Sequence, residues 1–190
     1  MRIIAGQKRG MKLLSPKGDV SRPILDRVKG SLFSVLYKYD LPAGAMVADL
    51  FSGVGSLGLE SLSRGAEFVT FIERDARVRV TLEKNIAKAG FVKATKVIAV
   101  NAFTAGAIPD YGRPKYNLVF VDPPYPTTTD VGPGSQLAGL MKVLQSQVTD
   151  DVIISVRTER KVHLLPHYGS FRLLERREWG SMQVTLMCWG

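Results

Sequence analysis

The chain has 190 residues, 45% of them hydrophobic, and a formal net charge of +9. That suits one domain with a sizeable core and excludes a disordered or fibrous composition. No apolar run approaches the roughly 18 residues that span a bilayer, and the basic N-terminus lacks the long apolar stretch of a secretory signal. One cysteine, Cys188, leaves no intramolecular disulfide or multi-cysteine metal site, and His163 and His167 alone cannot furnish a histidine-rich one. The expectation is a cytoplasmic protein without a metal.

Residues 2–5 and 11–14 are short apolar runs on either side of Gly6-Gln7-Lys8-Arg9-Gly10, the pattern of a hairpin with an exposed basic tip. Ser21 and Pro23 suit the cap and first turn of a helix in which Ile24, Val28, Leu32, Val35 and Leu36 recur at helical spacing, with Gly30 interrupting it. Residues 1–40 hold nine Lys/Arg against three Asp, a net +6 out of the whole chain's +9. Such a segment attracts a polyanion by releasing its condensed counterions, although a solvated face uses the same charges.

From Met46 the texture changes to short apolar runs alternating with longer periodic segments. Strands are expected near 46–50, 68–72, 95–100, 117–121, 151–157, 170–175 and 183–189, and helices near 56–64, 75–89, 134–148 and 158–164. Alternation of this kind argues a mostly parallel sheet with helices on both faces. The last two strands are close enough for an antiparallel hairpin, and residues 126–134 read as a loop.

Gly53, Gly55 and Gly58 follow the first of these strands and open a helix, satisfying G-x-G-x-x-G. Glycines let a ligand approach the backbone and let the turn take positive φ. Glu73, 20 residues beyond Gly53, ends the next strand, where a carboxylate can accept ribose hydroxyls. A dinucleotide fits these features. Asp49 does not favour one, because it would stand beside the pyrophosphate. It suits the α-ammonium of S-adenosylmethionine, to which Ser52 can add a hydrogen bond. A tight unliganded turn is the plain alternative.

Asp122-Pro123-Pro124-Tyr125 begins where the fourth strand ends, and ligands of open α/β sheets sit beyond the carboxyl ends of strands. An exocyclic base amine is a poor nucleophile because its lone pair is delocalised into the ring. Two acceptors for its N–H bonds, the Asp122 carboxylate and the Pro123 carbonyl, would favour a tetrahedral nitrogen and aim the lone pair. The prolines fix φ and hold the acceptors in place. Tyr125 can stack on the base, a contact worth about 1–3 kcal/mol in other nucleic-acid sites. A simple turn closing a strand is the bland reading of the same tetrapeptide.

With both motifs in hand, the core resembles a class I S-adenosylmethionine-dependent methyltransferase with a D/N-P-P-Y/F amino-methylation motif. "MRIIAGQKRGMKL", "PKG", "SRPILDRVKGSLFSVL", "DLFSGVGSLGLESLSRGA", "FIERD", "VFVDPPY" and "EWGSMQVTLMCW" resemble the RsmD family, in that family's order. The resemblance implies an α/β Rossmann-like fold with a seven-stranded, mostly parallel sheet. Residues 1–40 would be an N-terminal basic hairpin and helix that helps hold RNA, and 41–190 the methyltransferase domain. It implies methylation of guanine N2 in small-subunit ribosomal RNA by a monomer, within the assembled subunit or a late precursor, with S-adenosylhomocysteine as product. Carried over by motif, Asp49, Phe51, Ser52, Gly53, Gly55, Glu73, Arg74, Asn101 and Ala102 would bind the cofactor. Asp122, Pro123, Pro124 and Tyr125 would hold the target base, and Lys8, Arg9, Arg22 and Arg27 the RNA. Asn101 departs from the family's usual aspartate, so acceptance of the adenine amine would lack charge assistance.

Three other readings use parts of the same sequence. DNA adenine-N6 or cytosine-N4 methylation shares the chemistry, but the chain is short for a separate target-recognition domain. A dinucleotide-dependent oxidoreductase explains the glycines and Glu73 but leaves Asp49 and the Asp-Pro-Pro-Tyr motif idle. A non-catalytic RNA-binding module explains the basic N-terminus alone. His163, His167, Trp179 and Trp189 read as structural or surface residues, and Arg172, Arg176 and Arg177 as a solvated or RNA-facing strand.

Overall fold

The computed structural model describes residues 1–16, 24–110 and 112–190. Met1–Leu13 folds back on itself: Ile3 N donates to Met11 O at 2.9 Å and Leu13 N to Met1 O at 3.1 Å, around a 3-10 turn at Gly6–Lys8. This is the expected hairpin, but only Arg2 and Lys12 form a β-bridge. After it come α1 (Asp26–Leu36), β1 (Met46–Leu50), α2 (Ser56–Ser63), β2 (Phe68–Ile72), α3 (Ala76–Ala89), β3 (Thr95–Ile98) and α4 (Ala102–Ala105). Then follow β4 (Tyr116–Val121), α5 (Gln136–Leu144), β5 (Val148–Glu159), β6 (His167–Tyr168), β7 (Phe171–Trp179) and β8 (Met182–Trp189).

All eight strands form one sheet in the order β3-β2-β1-β4-β5-β8-β7-β6. The first five pair in parallel, and β8, β7 and β6 add antiparallel. The eighth strand is the two-residue β6, whose Tyr168 pairs with Phe171 across Gly169-Ser170. It is too short for periodicity to reveal. The helix expected near 158–164 is absent, because β5 runs to Glu159 paired with Met182 of β8. The helix expected to 148 ends at Leu144, where the chain must turn to begin β5 at Val148. Ser21, Pro23 and Arg22 lie outside the described residues, and the residue before α1 is Leu25, which makes no side-chain cap.

β1, β2 and most of β4 are buried on both faces, as parallel strands under two helical layers must be. Side-chain parity divides the core. Val47, Phe71, Leu118 and Phe120 face α1, α2, α3 and the N-terminal hairpin. Ala48, Leu50, Val119 and Val121 face α5. Each large side chain buried in this way contributes roughly 1.5–3 kcal/mol.

The N-terminal segment shares the first of these layers, with Ile3, Val28, Leu32 and Phe33 buried in it. It is also held by polar clamps. Glu60 of α2, fully buried, accepts from the backbone N–H groups of Ile4 and Ala5 and pairs with Lys29 at 3.2 Å and Arg64 at 2.7 Å. Asn85 of α3, equally buried, accepts from Leu14 N and donates to the carbonyls of Leu14 and Val54. Burial pushes the Lys29 ammonium below its usual value, with Glu60 opposing the shift.

Candidate active site

The sheet reverses its strand order between β1 and β4, and the crevice beyond their carboxyl ends is where α/β sheets bind ligands. A cavity of about 660 Å³ lies there, large enough for a nucleoside-sized ligand. Asp49, Phe51, Ser52, Gly53, Glu73, Arg74, Asn101, Ala102 and Asp122 to Tyr125 all line it. Tertiary structure thus brings together every one of the sequence's cofactor and base candidates except Gly55.

The glycines divide their work. A Cβ on Gly53 would meet nothing within 4 Å, and its φ of +54° holds the turn open toward the cavity. On Gly55 it would lie 2.5 Å from Leu82, and on Gly58 2.3 Å from Phe71. Those two allow α2 to seat against the sheet and α3. The Gly53 N–H donates to Glu73 Oε2 at 2.9 Å, and Asp75 N–H to Glu73 Oε1 at 2.9 Å. The Glu73 carboxylate is fixed by backbone donors, and each oxygen keeps a second lone pair for a ligand hydroxyl.

Asp49 is 2% exposed and accepts from Gly58 N at 2.8 Å. Burial pushes its carboxyl well above the usual carboxylate range. The Gly58 N–H opposes that shift, whereas Asp122 and Glu73 add to it. Four carboxylates, Asp49, Glu73, Asp75 and Asp122, line the cavity against two arginines, Arg74 and Arg157; the excess suits a cationic ligand, which would restore the charge on Asp49. Phe51 takes a left-handed φ of 60°, and its ring packs against Phe103 with centroids 4.7 Å apart.

Asn101 caps α4, its Oδ1 accepting from Phe103 N at 3.1 Å. Asn and Asp cap helices about equally well. The local backbone therefore tolerates the exchange, and Asn101 Oδ1 keeps a second lone pair for an adenine amine, without the charge an aspartate would bring.

Asp122 extends β4 by one residue, its N–H reaching Leu50 O at 3.5 Å. Its carboxylate pairs with Arg157 of β5, Nε to Oδ1, at 2.5 Å. Burial raises the Asp122 carboxyl, and Arg157 pulls it back. The Pro124 carbonyl is taken by Thr127 N and Oγ1, which close the 3-10 turn Tyr125–Thr128. The Pro123 carbonyl accepts none of the hydrogen bonds formed among the described residues. Tyr125 is half-buried at the cavity wall.

Sequence reasoning missed Arg157, and also Phe103 and Met1, which line the same cavity. Arg157 had a signal: it follows the largely apolar stretch Val152–Val156 as Asp122 follows Leu118–Val121. Once β4 and β5 pair with Val121 opposite Val156, the two charges stand side by side. Of the residues expected to touch RNA, Arg9 and Arg27 are exposed and Lys8 is partly so, its ammonium 5.8 Å from the centre of the Phe91 ring. These three lie outside the cavity lining.

The family model described as conserved hypothetical protein 95 matches residues 1–188. A Bacillus subtilis (strain 168) protein, YlbH, named as a candidate rRNA methyltransferase, is 30% identical over 98% of this chain and 97% of its own length. The ribosomal RNA small subunit methyltransferase D of Escherichia coli (strain K12) is 42% identical over 66% of this chain, a stretch that is 60% of that protein. The solved structure of the E. coli protein yhhF, described as a candidate methyltransferase, superposes with a TM-score of 0.81 at 33% identity, covering 100% of this chain and 97% of that one.

Proposed function

This chain belongs to the RsmD-like methyltransferase family described as conserved hypothetical protein 95, and from that premise we propose that it methylates the exocyclic N2 amine of a guanine in small-subunit ribosomal RNA. Its fold is that of the class I methyltransferases, with eight strands in place of seven. The observation that carries the reading is the meeting of Asp122-Pro123-Pro124-Tyr125 with Asp49, the Gly53 turn and Glu73 around one cavity.

S-adenosylmethionine, when bound, supplies an electrophilic methyl on a sulfonium. Asp49, Ser52 and Gly53 would hold its methionine end, Glu73 the ribose, and Phe51, Asn101, Ala102 and Phe103 the adenine side. The open backbone at Gly53 and the concentration of carboxylates fit a cofactor that carries positive charge and no phosphate.

The chain's own work is alignment. Asp122 and the Pro123 carbonyl each accept one N–H of the target amine, so its lone pair turns out of the ring plane. Tyr125 backs the base. Excess positive charge in residues 1–40 favours an RNA partner, with Lys8, Arg9 and Arg27 as phosphate contacts that orient without reading sequence.

Labelled methyl transfer to small ribosomal subunits lacking the modification, followed by nucleoside analysis, tests the reading. N2-methylguanosine is expected. Label in N6-methyladenosine or N4-methylcytidine would replace the base assignment, and no transfer to any RNA would refute the activity. Calorimetry with S-adenosylmethionine against NAD tests the cofactor, with binding expected for the first alone.

A further inference from the structure

We propose that Arg157, at the cavity end of β5, is a positioning residue for methyl transfer: its guanidinium grips one oxygen of the Asp122 carboxylate and leaves the other to the target amine. The inference rests on the reading of Asp122 just given and adds a residue to it.

The sheet makes the pair. β4 and β5 run parallel with Val121 opposite Val156, so the next residues on each strand, Asp122 and Arg157, stand side by side. Parity turns both toward the face that carries Phe120 and Ile153, the face Asp49 also shares. The contact is Nε to Oδ1 at 2.5 Å, with the side chains 12% and 17% exposed. No hydrogen bond to Oδ2 is formed among the described residues, so that oxygen keeps its capacity.

Arg157 makes a poor structural clip. Among the described residues its guanidinium forms this one hydrogen bond, and its Nη1 is buried without a partner. A desolvated cation with an idle donor costs stability rather than adding to it. What the cation does is local. Asp122 sits in a largely buried site beside Asp49 from β1, with Glu73 beyond it just after β2 and Tyr125 from its own loop. Without Arg157 the carboxyl would hold its proton more tightly, and a protonated oxygen donates where the amine needs an acceptor. Arg157 favours the ionised carboxylate and fixes one orientation.

The test is the pH dependence of methyl transfer to unmodified small subunits in two charge-neutral variants, Arg157→Gln and Arg157→Met, and in Arg157→Lys, with Asp122→Asn as control. In the neutral variants kcat at pH 7 should fall about tenfold or more, while the Kd for S-adenosylmethionine stays near that of the wild type. The rising limb of the rate profile should move to higher pH, so activity recovers in alkali. Arg157→Lys, which retains the cation, should keep the limb close to its original position. A purely structural role would scale the rate without moving the limb. An unmoved limb in whichever neutral variant folds, or a limb displaced as far by lysine, overturns the proposal. Wild-type turnover in Asp122→Asn would instead remove the reading of Asp122 on which it stands.

Discussion

Asp49 and Asp122 face the same side of the sheet because Asp49 pairs with Phe120, two residues before Asp122, and side chains two apart on a pleated strand share a face. The Asp122 carboxylate pairs with Arg157, and removal of that carboxylate should abolish transfer. We expect Asp122→Ala to lower kcat by at least about 100-fold with cofactor affinity nearly unchanged, read by calorimetry beside a single-turnover assay. Asp49 has a different signature. Its folded-state value lies well above the ordinary 3.8, so the folded state holds its proton more tightly than the unfolded one. The stability this gives is complete below that ordinary value and is lost as pH rises through the folded value. Asp49→Asn cannot titrate. Thermal melts at fixed ionic strength should show the variant gaining on the wild type between acid and neutral pH. A constant gap would mean that Asp49 is not the group responsible.

Helix α2 is the element on which the site depends most. Its N-terminus follows the Gly53 turn, Gly58 bonds Asp49, and Glu60 two residues later locks the N-terminal hairpin and α1 through Lys29. Truncating Glu60 would leave a buried ammonium unpaired and two backbone donors, Ile4 N and Ala5 N, unsatisfied. Glu60→Ala should therefore cost about 3–5 kcal/mol in urea unfolding, far more than loss of an exposed ion pair such as Arg2–Asp26. Equal costs would show that the hairpin is held by its apolar contacts alone. The glycines belong to this account as well: Gly55 and Gly58 are packing glycines, and only Gly53 faces the cavity.

At the scale of the molecule, the N-terminal segment buries its apolar side chains and keeps most of its charge outside the core. Apolar side chains of the N-terminal segment, Ile3 and Leu13 among them, are buried against the sheet, while Arg9 and Arg27 stay at the surface. Neutralising Lys8 and Arg9 lowers the formal charge from +9 to +7 without touching the cavity. Binding to the small subunit should weaken, and the slope of log K against log salt should flatten by up to about 2. An unchanged slope would take the hairpin off the RNA-binding surface.

Much of the architecture was legible because it is local. Alternating apolar runs and periodic segments gave the strands from Met46 to Val121 and helices α2 and α3 nearly to the residue, and strand-end placement together with the family resemblance gave the base and cofactor candidates that the cavity gathers. What the sequence left open depends on which strands become neighbours. β6 exists only because β7 is beside it, and residues 158–164 are not helical because β8 claims Thr158 and Glu159. In the same way, Arg157 meets Asp122 only once β4 and β5 have paired. Pattern along a chain records which face of an element is apolar, whereas the distance between two charges is fixed by backbone hydrogen bonds between segments far apart in sequence.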